Sequence, residues 1–277
     1  MKKLLILLIV TIGLFACTWK NNPSNPGGQS KTIDQQEHIN PNAVNGVLPG
    51  KFSVSASTKV QFSQGNLQYQ ASTNTWQFAE RQYYMIGEAN SNVSETNNGW
   101  IDLFGWGTGA NPTKTSVYYN DYITFVDWGV NAISNGGNKA NLWRTLSKDE
   151  WAYLFLTRAN ASALYGKSIV DSISGVIILP DDWQRPKNVS FLSGVGDDSL
   201  NTYSLKQWSI MESAGAVFLP CGGYRFGTDV FCVGSYGFYW SSSPFGTNYA
   251  DYLYFFSDDL FPHNYYRDSG YSVRLVR

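Results

Sequence analysis

From Phe52 onward the large apolar residues arrive in short runs that alternate with polar ones, and a chain patterned this way buries itself mainly as half-buried strands. Phe52-Ser53-Val54-Ser55-Ala56 and Lys59-Val60-Gln61-Phe62 begin the series. Leu67-Gln68-Tyr69 and Trp76-Gln77-Phe78 continue it around a turn at Ser72-Thr73-Asn74. The expectation is an antiparallel meander over about 51–80. After Val217 the β pattern returns, in Ala216-Val217-Phe218-Leu219, at Tyr224, in Phe238-Tyr239-Trp240, in Tyr252-Leu253-Tyr254-Phe255 and in Ser272-Val273-Arg274-Leu275-Val276.

Helical signals interrupt this pattern at two places. Ser147 with Glu150 three residues on is a capping box, and Trp151, Leu154, Phe155 and Arg158 then share one helical face. A second helix is expected from about Ser204 to Ala214, with Leu205, Trp208 and Met211 or Ile210 inward and Gly215 as the stop. Strands, then two helices, then strands predict an α+β domain. Residues 88–115 have no period; Trp100, Leu103, Phe104 and Trp106 point to a loop pinned by its own aromatic rings.

The chain begins Met1-Lys2-Lys3, runs apolar to Phe15 and reaches Ala16-Cys17. The apolar run is too short to span a bilayer and fits a signal peptide over 1–16. Leu14-Phe15-Ala16-Cys17 has the form of a lipobox, which makes Cys17 the lipidation site and the first mature residue. Residues 17–45 are rich in Asn, Pro, Ser, Gly and Gln and read as a flexible tether; 46–277 is the folded domain. The expected location is the cell envelope, lipid-anchored at the outer membrane. Whether the protein faces the periplasm or the surface is left open, and the lipid is its only membrane contact.

Lys and Arg number 20 against 21 Asp and Glu, a balance that argues against a nucleic-acid partner. Charged residues are 15 % while aromatics are 16 %, and the surplus of Tyr and Trp suits both a core and a wet binding face. His38 and His263 are the only histidines, without zinc spacing, and no nucleophile elbow, phosphate loop or dinucleotide fingerprint is present. Asp181-Asp182 and Asp258-Asp259 are neighbours that a strand would point to opposite faces. Asp258-Asp259 lacks the spaced ligands of a calcium loop and reads as solvated. No cofactor, no metal and no catalytic residue is expected.

Several segments resemble one family. Arg144-Thr145-Leu146-Ser147-Lys148-Asp149-Glu150-Trp151 is similar to a segment of the formylglycine-generating-enzyme-like (sulfatase-modifying-factor-like) group of C-type lectin folds. Gly234 to Ser242 resembles that fold's late glycine-to-tryptophan strand, and Tyr271 to Arg277 its closing strand. Gln207-Trp208, Gly215 to Pro220 and Gly223-Tyr224-Arg225 look like a large paralogous group of exported gut-bacterial lipoproteins. The resemblance covers most of 50–277. It implies a C-type lectin-like fold with twisted antiparallel sheets, two helices, and paired N- and C-terminal strands. The copper-binding cysteine motif of the oxidase members and the sugar-binding calcium motifs of animal C-type lectins are both missing. The activity is therefore not carried over, because fold likeness alone is a weak warrant for function.

The stretch from Tyr239 to Tyr271 has the composition of an antibody paratope and is similar to the variable segment of retroelement-diversified lectin-fold proteins. A shallow, metal-free site is expected there, binding a protein or glycan ligand. On and before one strand it would use Tyr249, Asp251, Tyr252 and Tyr254, and on the following loop His263, Asn264 and Tyr266. Leu253 and Phe255 mark the inner face of the strand and Trp240 is assigned to the core. The alternatives are an enzyme of the formylglycine-generating-like group and a structural or adhesive subunit of a surface fibre. Finally, a two-residue turn at Phe226-Gly227 would place Cys221 opposite Cys232, within reach of a disulfide in an oxidising compartment.

Overall fold

The computed structural model describes residues 43–277 apart from 195, 197, 257 and 258. The signal peptide, Cys17, His38, nearly all of the tether and Asp258 lie outside the described residues. Ordered contacts start slightly before the boundary expected at 46, since Val44 bridges to Val47 and Ala43 packs on the core.

The early strands form two hairpins. β1 (Phe52–Ser53) pairs with β2 (Lys59–Val60), and β3 (Leu67–Gln70) pairs with β4 (Thr75–Phe78) and with β5 (Trp100–Ile101). Asn74, left-handed at φ 49°, closes the turn between β3 and β4. A single meander does not form because the link between the hairpins spends its backbone groups on the C-terminal segment. Ser63 and Leu67 donate to the carbonyls of Leu275 and Val273, each at 2.9 Å. Gln61 and Arg277 exchange both of their amide hydrogen bonds at 2.9 and 3.0 Å, so the two ends of the domain are paired.

After β6 (Arg144–Thr145) comes α1 (Lys148–Ala152), continued by a π-turn over Tyr153–Thr157. The Ser147 hydroxyl accepts the Glu150 N–H at 3.2 Å, and the Glu150 carboxylate accepts the Ser147 N–H at 2.8 Å. Trp151, Leu154, Phe155 and Arg158 are all buried. Next are β7 (Tyr165–Val170) and β8 (Ile173–Ile178), a hairpin for which no element was expected. Its turn residues Asp171 and Ser172 both have positive φ, as a type I′ turn requires. β9 (Thr202–Tyr203) lies parallel to β7. α2 (Leu205–Ser213), capped by Ser204 and Gln207, buries Trp208 and Met211 and leaves Ile210 exposed. β10 (Val217–Pro220) completes a four-stranded sheet in the order β10-β8-β7-β9.

The C-terminal region holds β11 (Tyr224–Phe226), β12 (Asp229–Phe231), β13 (Gly237–Phe245) and β14 (Tyr249–Phe256). β15 (Asp259–Tyr266), β16 (Ser269–Gly270) and β17 (Leu275–Val276) follow. β13-β14-β15 is an antiparallel sheet, β11 lies between β12 and β16, and β17 pairs with β6. The fold is α+β, built mostly of small antiparallel sheets with few helices. Among the described residues no helix is long and apolar enough to cross a membrane.

Three contacts tie these pieces together. Trp106 donates its indole N–H to the Ser241 carbonyl at 3.0 Å, and Trp240 donates to the Phe104 carbonyl at 2.7 Å. The 88–115 loop is thereby pinned by its own aromatics, with Leu103, Phe104 and Trp106 buried. In the third contact, buried Arg158 holds Asp181 at 3.2 Å, and Asp181 also accepts the Ser53 hydroxyl at 2.6 Å and faces Lys59 at 3.0 Å. Burial alone would raise the Asp181 pKa. The hydrogen bonds from Ser53 and the two cations outweigh it and hold the carboxyl down at about 2.

The Cys221–Cys232 bridge is corrected by the register of β11 and β12. Phe226 pairs with Asp229, so the turn residues are Gly227 and Thr228, one position later than expected. Gly227, at φ +60°, takes the first turn position, where a type II′ hairpin calls for glycine. The displacement brings Gly234 to Cys221, with the Gly234 N–H donating to the Cys221 carbonyl at 2.7 Å, and no disulfide joins Cys221 to Cys232.

Candidate ligand-binding face

The sheet β13-β14-β15 sorts the expected site residues onto opposite faces. Its register sets Tyr249 against Tyr266, Asp251 against Asn264, and Tyr252 against His263. Side chains alternate along a strand, so Tyr249 and Asp251 share the face of Leu253 and Phe255, while Tyr252 and Tyr254 take the other. One shallow site containing all of them is therefore not formed.

On the face of Leu253 and Phe255, which packs against α1, Asp251 is only 3 % exposed. Its carboxylate lies 3.6 Å from the Lys148 ammonium. Burial raises its pKa and Lys148 opposes the rise. Tyr249 is half-buried, with its ring 4.6 Å from that of Tyr266, which in turn stacks on Tyr119 at 5.3 Å. Asn264 is exposed. Tyr249 and Tyr266 are thus rings braced by the 119–122 turn, and Asp251 is a buried anchor for α1.

The opposite face is aromatic along its length. Its inner end is core: Trp240 is buried, Tyr271 is buried, and Tyr252, 8 % exposed, packs on both at 6.1 and 4.9 Å. Burial raises the Tyr252 hydroxyl well above the ordinary tyrosine range. Tyr252 is thus corrected from ligand-binding to core. Towards the other end the rings emerge. Phe238 and Tyr254, cross-strand partners 5.4 Å apart, are half-buried, and burial lifts the Tyr254 hydroxyl to about 12. Tyr236 lies flat on Phe256, at 3.9 Å and 7°. His263 is exposed and meets Tyr254 edge-on at 5.5 Å. Phe261, opposite Tyr254, is 45 % exposed, and Tyr265, opposite the small Ala250, is 41 % exposed.

The β11–β12 hairpin extends this surface. Tyr224 contacts Phe238 at 5.4 Å and stacks on Phe231, itself 41 % exposed, at 5.2 Å. Behind Tyr224 the Arg225 side chain is fully buried. It donates to the carbonyls of Leu103 at 3.3 Å, Lys114 at 3.2 Å, and Gly227. Burial lowers its pKa. This guanidinium ties the hairpin to two loops and fixes the platform that carries Tyr224 and Phe231.

Of the expected residues, the structure brings Tyr254 and His263 to this face together and leaves Tyr249, Asp251, Asn264 and Tyr266 on the other. The sequence reading missed Tyr236, Phe256, Phe261 and Tyr265, and on the hairpin Tyr224 and Phe231. Strand parity alone would have found Phe256, which shares the face of Tyr254. Tyr224 and Phe231 depend on the packing of two sheets, which no local pattern carries. Among the described residues no cluster of three or more His, Cys, Asp or Glu is placed to hold a metal ion. Comparison of the chain with family models, with curated proteins and with solved structures gives no match.

Proposed function

We propose that this chain is a non-catalytic binding module of C-type lectin-like fold that captures a protein or glycan ligand on the aromatic face of β13-β14-β15. The observation that carries the reading is the contiguous, half-exposed set of rings running from Phe256 and Tyr236 through Phe238 and Tyr224 to Phe231. Isolated exposed rings are ordinary; a connected patch framed by tyrosine hydroxyls is the composition of a recognition surface. The paired ends of the domain, the two capped helices and the late three-stranded sheet support the lectin-like assignment.

The test is a glycan and protein array probed with the full chain. Replacing both Phe231 and Phe261 with Ala should weaken the captured ligand by about 2 kcal/mol or more, near thirtyfold, with an unchanged melting temperature. An array without any specific ligand, or a double variant that binds as the parent does, would sink the proposal.

The same reading places the module in the cell envelope, at the outer membrane, on a lipid attached to Cys17. Cys17→Ser should move the protein from the membrane fraction to the soluble one and abolish labelling by a palmitate analogue. Continued labelling would remove the anchor from the proposal.

A further inference from the structure

Beside the aromatic face lies a cavity of about 220 Å³ that the binding surface described above does not use. Its deep side is formed by Gly175, Cys221 and Phe255, all buried, and its rim by exposed Ser235 and half-buried Phe256. Lys167 and Ser174, from β7 and β8, line the remaining wall. The cavity exists because β8 carries glycine at 175. A Cβ there would lie 2.3 Å from the Leu219 carbonyl oxygen, so β8 and β10 approach too closely for any side chain at that position. Phe256 belongs to both surfaces: it stacks on Tyr236 in the aromatic face and lines the cavity.

The chemistry of the lining is selective. Lys167 contributes an ammonium, Ser174 and Ser235 contribute hydroxyls that both donate and accept, and no carboxylate is present among the described lining residues. An apolar anchor side chain of a protein partner would leave these polar groups without partners once water is expelled. The volume holds roughly seven waters at ~30 Å³ each, room for one sugar ring and not for two. It falls below the ~300–1,000 Å³ of pockets for larger ligands.

We propose that this cavity receives one anionic monosaccharide unit, a sugar bearing a carboxylate or a sulfate, at the end of a glycan whose adjoining units lie on the aromatic face. The inference rests on the reading of that face as the ligand surface. Lys167 holds the anionic group as a point charge, Ser174 and Ser235 take ring hydroxyls, and the Phe256 ring meets the apolar side of the sugar.

Titration of the full chain with glucuronate and N-acetylglucosamine 6-sulfate, against neutral glucose and N-acetylglucosamine, tests this. At least one acidic sugar should bind tenfold or more tighter than its neutral parent, and the two acidic arms identify which anion is preferred. Lys167→Met should bring acid and neutral sugars to parity. Ser235→Trp, at the exposed rim, should block all four at an unchanged melting temperature, and it decides the matter if the lysine variant folds poorly. Equal affinity for acid and neutral sugars, a preference that survives Lys167→Met, or binding that survives Ser235→Trp overturns the inference. If array ligands still depend on Phe231 and Phe261 while no acidic preference exists, only the cavity assignment fails. If neither dependence exists, the reading of the aromatic face fails with it.

Discussion

Replacing Asp181 with Ala should cost the fold about 3–5 kcal/mol, the loss expected when one partner of a buried ion pair is removed. Arg158 is 3 % exposed and cannot recover water when its carboxylate disappears. Its Nε and Nη2 would still reach the carbonyls of Leu154 at 2.7 Å and Leu164 at 3.3 Å, which satisfy hydrogen bonding but not charge. The Ser53 amide and hydroxyl would lose their acceptor at the same time. Lys59, on the solvent side with its side chain 56 % exposed, contributes little, so Lys59→Ala should cost less than about 1 kcal/mol. The effect also has a pH signature. The folded-state pKa of Asp181, about 2, lies below the ordinary 3.8, so its stabilisation is fully present above pH 3.8 and is lost as pH falls towards 2. Urea unfolding curves of parent and Asp181→Ala should therefore lie far apart at pH 6 and approach each other below pH 3. Equal losses from the Asp181 and Lys59 variants, or a gap independent of pH, would refute this account.

Trp240→Ala should be as damaging, at about 3–5 kcal/mol, for a different reason. Its ring is fully enclosed and lies 4.3 Å from that of Tyr271. Removing it opens a cavity between the late sheet and the 88–115 loop. It also leaves the buried Phe104 carbonyl without the indole donor now at 2.7 Å. Phe261→Ala, one strand beyond β14 on the same face, should shift stability by no more than about 0.5 kcal/mol, because Phe261 is 45 % exposed. Chemical denaturation of the two variants reads this difference directly. Comparable losses would mean that the outer end of the aromatic face is core, and would remove it as a binding surface.

Local signals in the sequence were reliable where local physics decides. Ser147 with Glu150 and Ser204 with Gln207 announced both helices, and each box is fully formed. Leu253 and Phe255 marked the buried side of β14, and both are buried. The candidate site suffered because strand parity was not applied through to its end. Asp251 is two residues from Leu253 and therefore had to share its face, yet it was grouped with Tyr252. The hairpin that was to join Cys221 to Cys232 failed on the position of one glycine, since moving the turn by a single residue changes every pairing behind it. The β7–β8 hairpin was missed although Tyr165 to Val170 alternates cleanly in burial, because small Gly166 and Ser168 hold the inward positions and give no apolar signal. What joins Tyr224 and Phe231 to Phe238 is the packing of one sheet on another, settled by contacts far apart in the chain.

The exchange of amide hydrogen bonds between Gln61 and Arg277 sets the order in which this domain can be completed. A ribosome delivers the early strand long before the last one, and throughout that interval the edge at Gln61 and Ser63 has no partner. Helix α1 and the hairpins can close as they emerge, since their contacts are near in sequence. The union of β6 with β17, and of Phe62 with Val276, must wait for the final residues. Nascent chains stalled before Val273 should accordingly be protease-sensitive along their whole length, and release of a few more residues should bring resistance in a single step.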